Sequence, residues 1–407
     1  MISLAIYTLT SELHNESAVE AVTRDFLGSL NLDYTFKGSD YADYGSHSLS
    51  IIYVRTGGTE GIFRRLLPQL QAQSDQPFYL LTSGKSNSLA ASMEILSYLR
   101  QHGIKGEIIH GHADYISHRI RLLATVAEAR QRLRGGRFGI IGKPSDWLIA
   151  SHADATIVKE KLGIDLVNIS LPLPPSKREG GLQSDRSTAT NYEGGLQCAG
   201  PAAAYYEGAE RIYDALKELV ERYQLQGFTL RCFDLLTAVH NTGCLALARL
   251  NSEGIVAGCE GDVPAMLSMA VTKALVGVSG FQANPASIDP ETGQMVMAHC
   301  TIPLNMVERY ELDTHFESGI GVGIRGYMRP GPVTIFKLAG DLSRSFIAEG
   351  ELTANQAKPD LCRTQQVILL SDRGQASYFL TDPIGNHHIV VPGHQRELFS
   401  LFTSSLS

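Results

Sequence analysis

The sequence predicts an α/β protein: two Rossmann-like α/β domains with parallel sheets, followed by a C-terminal, mostly antiparallel β domain. Three observations carry that expectation. Apolar strand-like runs alternate with helical ones from the first residues, as in βαβ units. The alternation restarts after Gly135-Gly136, and beyond about residue 280 it gives way to short β-like runs separated by Gly and Pro. The expected domains are residues 1–136, 137–280 and 281–407, with Glu260 in the second and His299 and His388 in the third.

In chain order, strands are expected over 3–7, 49–55 and 78–82, followed by helices over 17–30, 59–73 and 88–102. An arginine-rich helix over 117–133 ends at the glycine pair. The strand 137–142 restarts the pattern, and Pro144 is placed to open a helix, where its missing N–H costs nothing. A long helix over 202–223, strands over 229–233 and 254–257, and a helix over 264–274 complete the second domain. Residues 172–200, rich in Pro, Gly, Ser and Thr, are expected to be either a functional lid, of the kind that reads substrate hydroxyls, or disordered. The last domain offers β-like runs over 295–301, 319–327, 332–339, 365–370 and 388–391, then a short helix over 395–402.

The chain has 407 residues, 43% hydrophobic and 19% charged, with a net charge of −7, so it can bury a large core and has no general attraction for polyanions. No stretch interleaves Lys and Arg with aromatics, which argues against nucleic acid as a partner. The first seven residues lack a basic n-region and read as a strand. No apolar run approaches the roughly 20 residues needed to span a bilayer. A cytoplasmic protein with no membrane partner is expected. The six cysteines (Cys198, Cys232, Cys244, Cys259, Cys300, Cys362) form no C-x-x-C pair and are expected to be reduced and mostly buried.

The best catalytic address is Glu260, in the run Gly258-Cys259-Glu260-Gly261-Asp262-Val263-Pro264, between an apolar strand and a helix. Ligands of open α/β folds bind at such strand ends, and a carboxylate there can hold a divalent ion or accept a proton. Together with Asp262, Asn284, His299 and the pair His387-His388 it offers the oxygen and imidazole mixture such an ion wants. The same residues also fit a helix N-cap neighbourhood and satisfied strand histidines. A second candidate, Gly142-Lys143-Pro144-Ser145-Asp146-Trp147, presents Lys143, Ser145 and the chain's single tryptophan to a sugar-sized pocket, or is an ordinary βα turn. The run Thr82 to Ser88 lacks the first glycine of a phosphate loop. His110 and His112 suit a loop or substrate rim, Cys259 and Cys300 are read as inert thiols rather than nucleophiles, and His240-Asn241 reads equally as pocket mouth or solvated loop. Asp382, His394 and Glu397 are read as turn and helix-start residues.

Four stretches have a familiar order: Gly142 to Ser151, Cys244 to Asp262, Ala298-His299-Cys300-Thr301-Ile302-Pro303, and Gly385-Asn386-His387-His388. Through them the chain resembles the L-fucose isomerase and L-arabinose isomerase superfamily. The resemblance implies two α/β domains plus a β-rich domain, assembled as homotrimers or homohexamers with the site between domains. It implies aldose–ketose interconversion with a divalent ion, usually Mn²⁺. Carried over, Glu260 matches the first metal-binding and catalytic carboxylate, His388 rather than His387 the C-terminal ligand, and His299 the additional imidazole of the arabinose branch. Asn284 stands where those enzymes carry an acidic ligand. An amide oxygen can ligate but cannot act as a base, so Asp262 or Asp289 is expected to compensate for the charge, with Asp262 beside Glu260 in catalysis and His387 left to the substrate. Three functions stay open: a sugar isomerase acting on an unphosphorylated sugar by enediol proton transfer between C1 and C2, a non-catalytic sugar-binding or regulatory relative, and an enediolate-type lyase.

Overall fold

The computed structural model describes residues 3–171, 190–191, 197–198 and 200–406. The expected loop over 172–200 falls almost wholly outside them, as does the side chain of Cys198. The chain divides into two compact units, Met1–Gln131 and Arg132–Ser407. Among the described residues no helix is long and apolar enough to cross a membrane.

The first unit contains β1 (Leu4–Leu9), α1 (Glu16–Ser29), β2 (Thr35–Gly38), β3 (Leu49–Val54), α2 (Glu60–Gln73), β4 (Phe78–Thr82), α3 (Ser88–Gln101), β5 (Gly106–Ile109) and α4 (Ala113–Leu133), whose last residues pass the unit boundary. Its five strands are parallel, in the order β2-β1-β3-β4-β5. Every residue of β1 and β3 is buried, as for parallel strands covered on both faces, and this is why they read as continuous apolar runs.

The second unit begins with another parallel α/β layer: β6 (Arg137–Ile141), α5 (Ala155–Leu162), β7 (Asp165–Ile169), the short pair β8 (Thr190–Asn191) and β9 (Gln197–Cys198), α6 (Tyr206–Tyr223), β10 (Gly227–Leu230), α7 (Asp234–Ala238), α8 (Cys244–Ser252), β11 (Val256–Cys259) and α9 (Val263–Val276). The order β11-β10-β6-β7 brings the loops after β6, β10 and β11 to one sheet edge. The helix expected from Pro144 does not form. The Pro144 carbonyl accepts from Arg231 at 2.7 Å and the Ser145 N–H donates to the Glu260 carbonyl at 3.0 Å, so backbone groups near a helix start are engaged elsewhere. The helix starts instead at Ala155, where the Asp154 carboxylate caps the N–H groups of Thr156 and Ile157.

The remaining strands are β12 (Phe281–Ile288), β13 (Gln294–His299), β14 (Arg309–Asp313), β15 (Gly323–Tyr327), β16 (Gly331–Leu338), β17 (Ser345–Gln356), β18 (Thr364–Leu370) and β19 (His388–Pro392), with α10 (Ala376–Thr381) and α11 (Arg396–Ser404). Six of them close into an antiparallel barrel, β12-β13-β18-β17-β16-β19, filled by Phe281, Met295, Met297, Ile335, Ile368 and Val390. The expected α/β class with a C-terminal antiparallel sheet is what the chain adopts. Register sets the barrel's functional end: His299 pairs with Thr364, Asn284 with Ala298, and Ala283 with His388. The last residue of β13, the first of β18 and the first of β19 therefore share one mouth.

Candidate metal centre

Glu260 sits in the turn from β11 to α9 with φ at +63°, the left-handed region that non-glycine residues seldom occupy. Two loops interlock to hold it there. Ser145 anchors its carbonyl, and at Gly261, itself left-handed, an added Cβ would lie 2.6 Å from the Lys143 carbonyl oxygen and 2.8 Å from Pro144 Cα. Only glycine lets the loops after β6 and β11 approach this closely. The Glu260 side chain is 12% exposed. Its Oε2 accepts the Trp147 indole N–H at 2.8 Å, while Oε1 lies 3.4 Å from His387 Nε2 and 3.7 Å from His299 Nε2. Glu260, His299 and His387 each offer one atom within 4.8 Å of the others, and all three residues are buried.

Each imidazole is oriented from behind. His387 Nδ1–H donates to Asp262 Oδ2 at 2.8 Å, which leaves Nε2 buried and without a hydrogen bond. His299 Nδ1 is bonded to the Thr301 hydroxyl at 3.0 Å. A carboxylate behind a ligating imidazole fixes its tautomer and strengthens it as a donor. Asp262 is fully buried and fully engaged: its Oδ1 caps α9 through the Ala265 N–H at 2.7 Å, and its Oδ2 also lies 3.7 Å from Lys337 Nζ. Lys337, from β16, is completely buried and makes no hydrogen bond. The sequence reading missed it, although a lone lysine inside the run Val333-Thr334-Ile335-Phe336-Lys337-Leu338 was a visible signal.

Electrostatics follow from this packing. Burial opposes ionisation of Glu260, but the charge of His387 and the closeness of both imidazoles to Oε1 outweigh it and hold the carboxyl far below its ordinary range. Burial works to strip the proton from His387, yet Glu260 and Asp262 prevail and push it up to about 9. His299 is lowered by burial. Asp262 is lowered in spite of burial, chiefly by the charge of Lys337. Glu317 is raised by burial and by the nearby charge of Glu260.

The other expected site residues divide. Asn284 lies on β12 with Oδ1 buried and without a hydrogen bond, one register step from the strands that lead to His299 and His387. His388 was favoured as the ligand of its pair, but both of its ring nitrogens are engaged, with Tyr378 Oη at 3.0 Å and the Asn386 carbonyl at 3.0 Å, and burial pushes it down to about 3. His387 takes that place. Ser145 is buried with its hydroxyl without a partner, and Lys143 is exposed and paired with Asp146 at 3.1 Å. Trp147 meets Phe233 edge to face at 4.9 Å, and Phe233 meets His315 in the same way, forming an aromatic wall that includes two residues the sequence reading passed over. Asp289 closes the β12–β13 hairpin, at the opposite end of those strands from His299. Cys259 lies 3.1 Å from Cys232, and that hydrogen bond together with burial pushes its thiol up, as suits an inert residue. Asn241 bonds the Tyr205 carbonyl and His394 pairs with Glu351. In the first unit, His110 is bonded to the Thr82 carbonyl.

A buried Glu/His/His group of this kind can hold a metal ion. No protein-family model matches the chain. It is similar to sulfoquinovose isomerases. One, from Clostridium sp. (strain MSTE9), is 29% identical over 127 residues, 31% of this chain and 27% of that protein. Two more, from Priestia aryabhattai and Priestia megaterium (strain ATCC 12872 / QMB1551), are each 22% identical over 279 residues, 62% of this chain and 59% of theirs. The matches thus span from about a quarter to three fifths of the relatives' own length. They support a relationship to sugar isomerases.

Proposed function

We propose that the chain is a divalent-metal-dependent aldose–ketose isomerase of the L-fucose and L-arabinose isomerase type, with Mn²⁺ as the ion. The observation that carries the reading is the convergence of Glu260 Oε1, His299 Nε2 and His387 Nε2 in one buried pocket, with His387 Nε2 free of any hydrogen bond. A buried imidazole nitrogen that faces a carboxylate without a hydrogen bond is satisfied by a proton or by a metal cation in its place, so the residues fit an ion that displaces the His387 proton. Glu260, His299 and His387 would hold it, with the Asn284 amide oxygen as a neutral fourth donor. When bound, the ion polarises the carbonyl and hydroxyl oxygens at C1 and C2 of the sugar.

Proton movement falls to Glu260. Asp262 is kept from direct contact with sugar by its complete burial behind His387; its part is to aim that imidazole. Glu260 takes the proton from C2 and returns it at C1, which makes one carboxylate sufficient for both halves of the reaction. Trp147 and Phe233 supply an apolar face for the sugar ring.

Sulfoquinovose, the sugar for which the relatives are named, is the first to test, followed by neutral aldoses. The protein is incubated with Mn²⁺ and each sugar in D₂O while NMR follows deuterium at C2 and the appearance of ketose. Exchange and ketose that disappear in Glu260→Gln support the reading. Sugar binding with no exchange overturns it in favour of a non-catalytic sugar-binding protein, and a cleaved product overturns it in favour of a lyase.

A further inference from the structure

Trp147 is 51% exposed, yet its indole N–H donates to the carboxylate of Glu260, a residue only 9% exposed. A half-exposed indole satisfies its N–H with solvent at little cost, so this bond is not required by the fold. The loop that carries it is held from several sides. Arg231 bonds the Pro144 carbonyl at 2.7 Å and the Asp146 carboxylate at 2.8 Å, and is itself fixed by Asp234 at 2.8 Å. Ser145 grips the Glu260 backbone, and Phe233 meets the ring at an interplanar angle of 81°. Loops from β6, β10 and β11 thus cooperate to deliver one N–H to one oxygen of Glu260.

We propose that Trp147 is a positioning residue of the metal centre: its indole N–H engages Glu260 Oε2 and so turns Oε1 toward His299 and His387. The proposal rests on the reading of that centre as an ion site. A carboxylate can rotate about its last side-chain bond, and the donor on one oxygen removes that freedom from the other. Partners one step behind a ligand commonly tune affinity in this way. The sugar wall and the ion site are then one device, because the ring that faces the sugar is the ring that sets the ligand.

Trp147 is the only tryptophan in the sequence, so indole emission comes from this ring alone. Mn²⁺ is titrated into the chelator-treated full chain while indole emission and heat are both recorded. The expected result is a saturable change in emission with the same midpoint as the heat. Trp147→Phe keeps a ring against Phe233 and loses the N–H; Mn²⁺ is expected to bind about 10-fold or more weakly, with the melting temperature unchanged. If that variant melts early, replacing Trp147 with its sulfur isostere benzothienylalanine, which keeps the shape and lacks the donor, decides the matter and is expected to give the same weakening. A silent indole while heat shows binding, or donor-less variants that bind Mn²⁺ as tightly as the parent, overturns this proposal and leaves the ion site standing. A parent protein that binds no Mn²⁺ overturns the reading of the site itself.

Discussion

Two parallel sheets in this chain end in loops rich in glycine and polar residues, and they differ in what those residues do. In the first unit the loop after β4 closes on itself: the Thr82 and Ser88 hydroxyls meet at 2.6 Å, Gly84 N–H bonds Thr82, and His110 bonds the Thr82 carbonyl. Beside it Arg55 is anchored to Thr10 at 2.6 Å and to Glu20 at 3.0 Å. In the second unit the corresponding edge and the barrel mouth leave Ser145 Oγ, Asn284 Oδ1, Lys337 Nζ and His387 Nε2 buried without hydrogen bonds, against Tyr53 Oη and Gln76 Oε1 in the first. Buried polar groups are nearly always paired, so a cluster of unpaired ones marks where a ligand completes the structure. Similar loop composition thus serves internal closure in one place and reception in the other.

The strongest test of that contrast is Glu260→Gln, which removes the base and one negative charge while keeping the shape. Turnover of a sugar shown to exchange at C2 should fall about 10³-fold, within the range of a lost acid–base group, with the circular dichroism spectrum unchanged. An active variant would break the contrast.

Next in size is Lys337→Met. Removing one partner of a buried charge pair leaves Asp262 uncompensated, and destabilisation of about 3 kcal/mol is expected in denaturant unfolding. A variant as stable as the parent would show that Lys337 is not a counter-charge.

The third test uses pH. In the ion-free protein His387 is raised above its ordinary value to about 9. The stability this contributes is full below about pH 6.5 and is lost as pH rises through 9. Ion binding runs the other way, because the metal must displace that proton; affinity should rise by about tenfold per pH unit at most between pH 6.5 and 9 and then level off. Calorimetric titrations across that window check it, and a flat profile would show that His387 does not hold the ion.

The smallest effect is expected in the first unit. Ser88→Ala should cost about 1 kcal/mol through the lost hydroxyl pair and leave Mn²⁺ affinity unchanged. A large change in affinity would place that loop in reception after all.

The parallel strands were legible because burial on both faces writes them as apolar runs, as in Leu49-Ser50-Ile51-Ile52-Tyr53-Val54. β2 and β5, half exposed and four residues long, carry no such signature. β17 escaped notice because its twelve residues include Glu, Thr, Asn and Gln where one face meets solvent. Pro144 misled because propensity cannot see that Arg231, 87 residues away, takes its carbonyl. At the site, Glu260 and His299 were visible as polar residues closing apolar strands. The choice between His387 and His388 was not, because alternation along β19 decides it. His388 begins the strand on the side facing Tyr378 and Phe346, and only the barrel's register fixes that side.

The hydrogen bond from His387 to Asp262 closes a span of 125 residues. On a ribosome adding residues at about 5 to 20 per second, Asp262 emerges roughly 6 to 25 s before the imidazole it will orient. Throughout that interval Glu260 and His299 lack their third companion, and the barrel lacks the strand β19 that joins β12 to β16. On the proposed reading of the centre, capture of an ion would be a late event in the life of a nascent chain, and a loaded centre would certify that the barrel has closed.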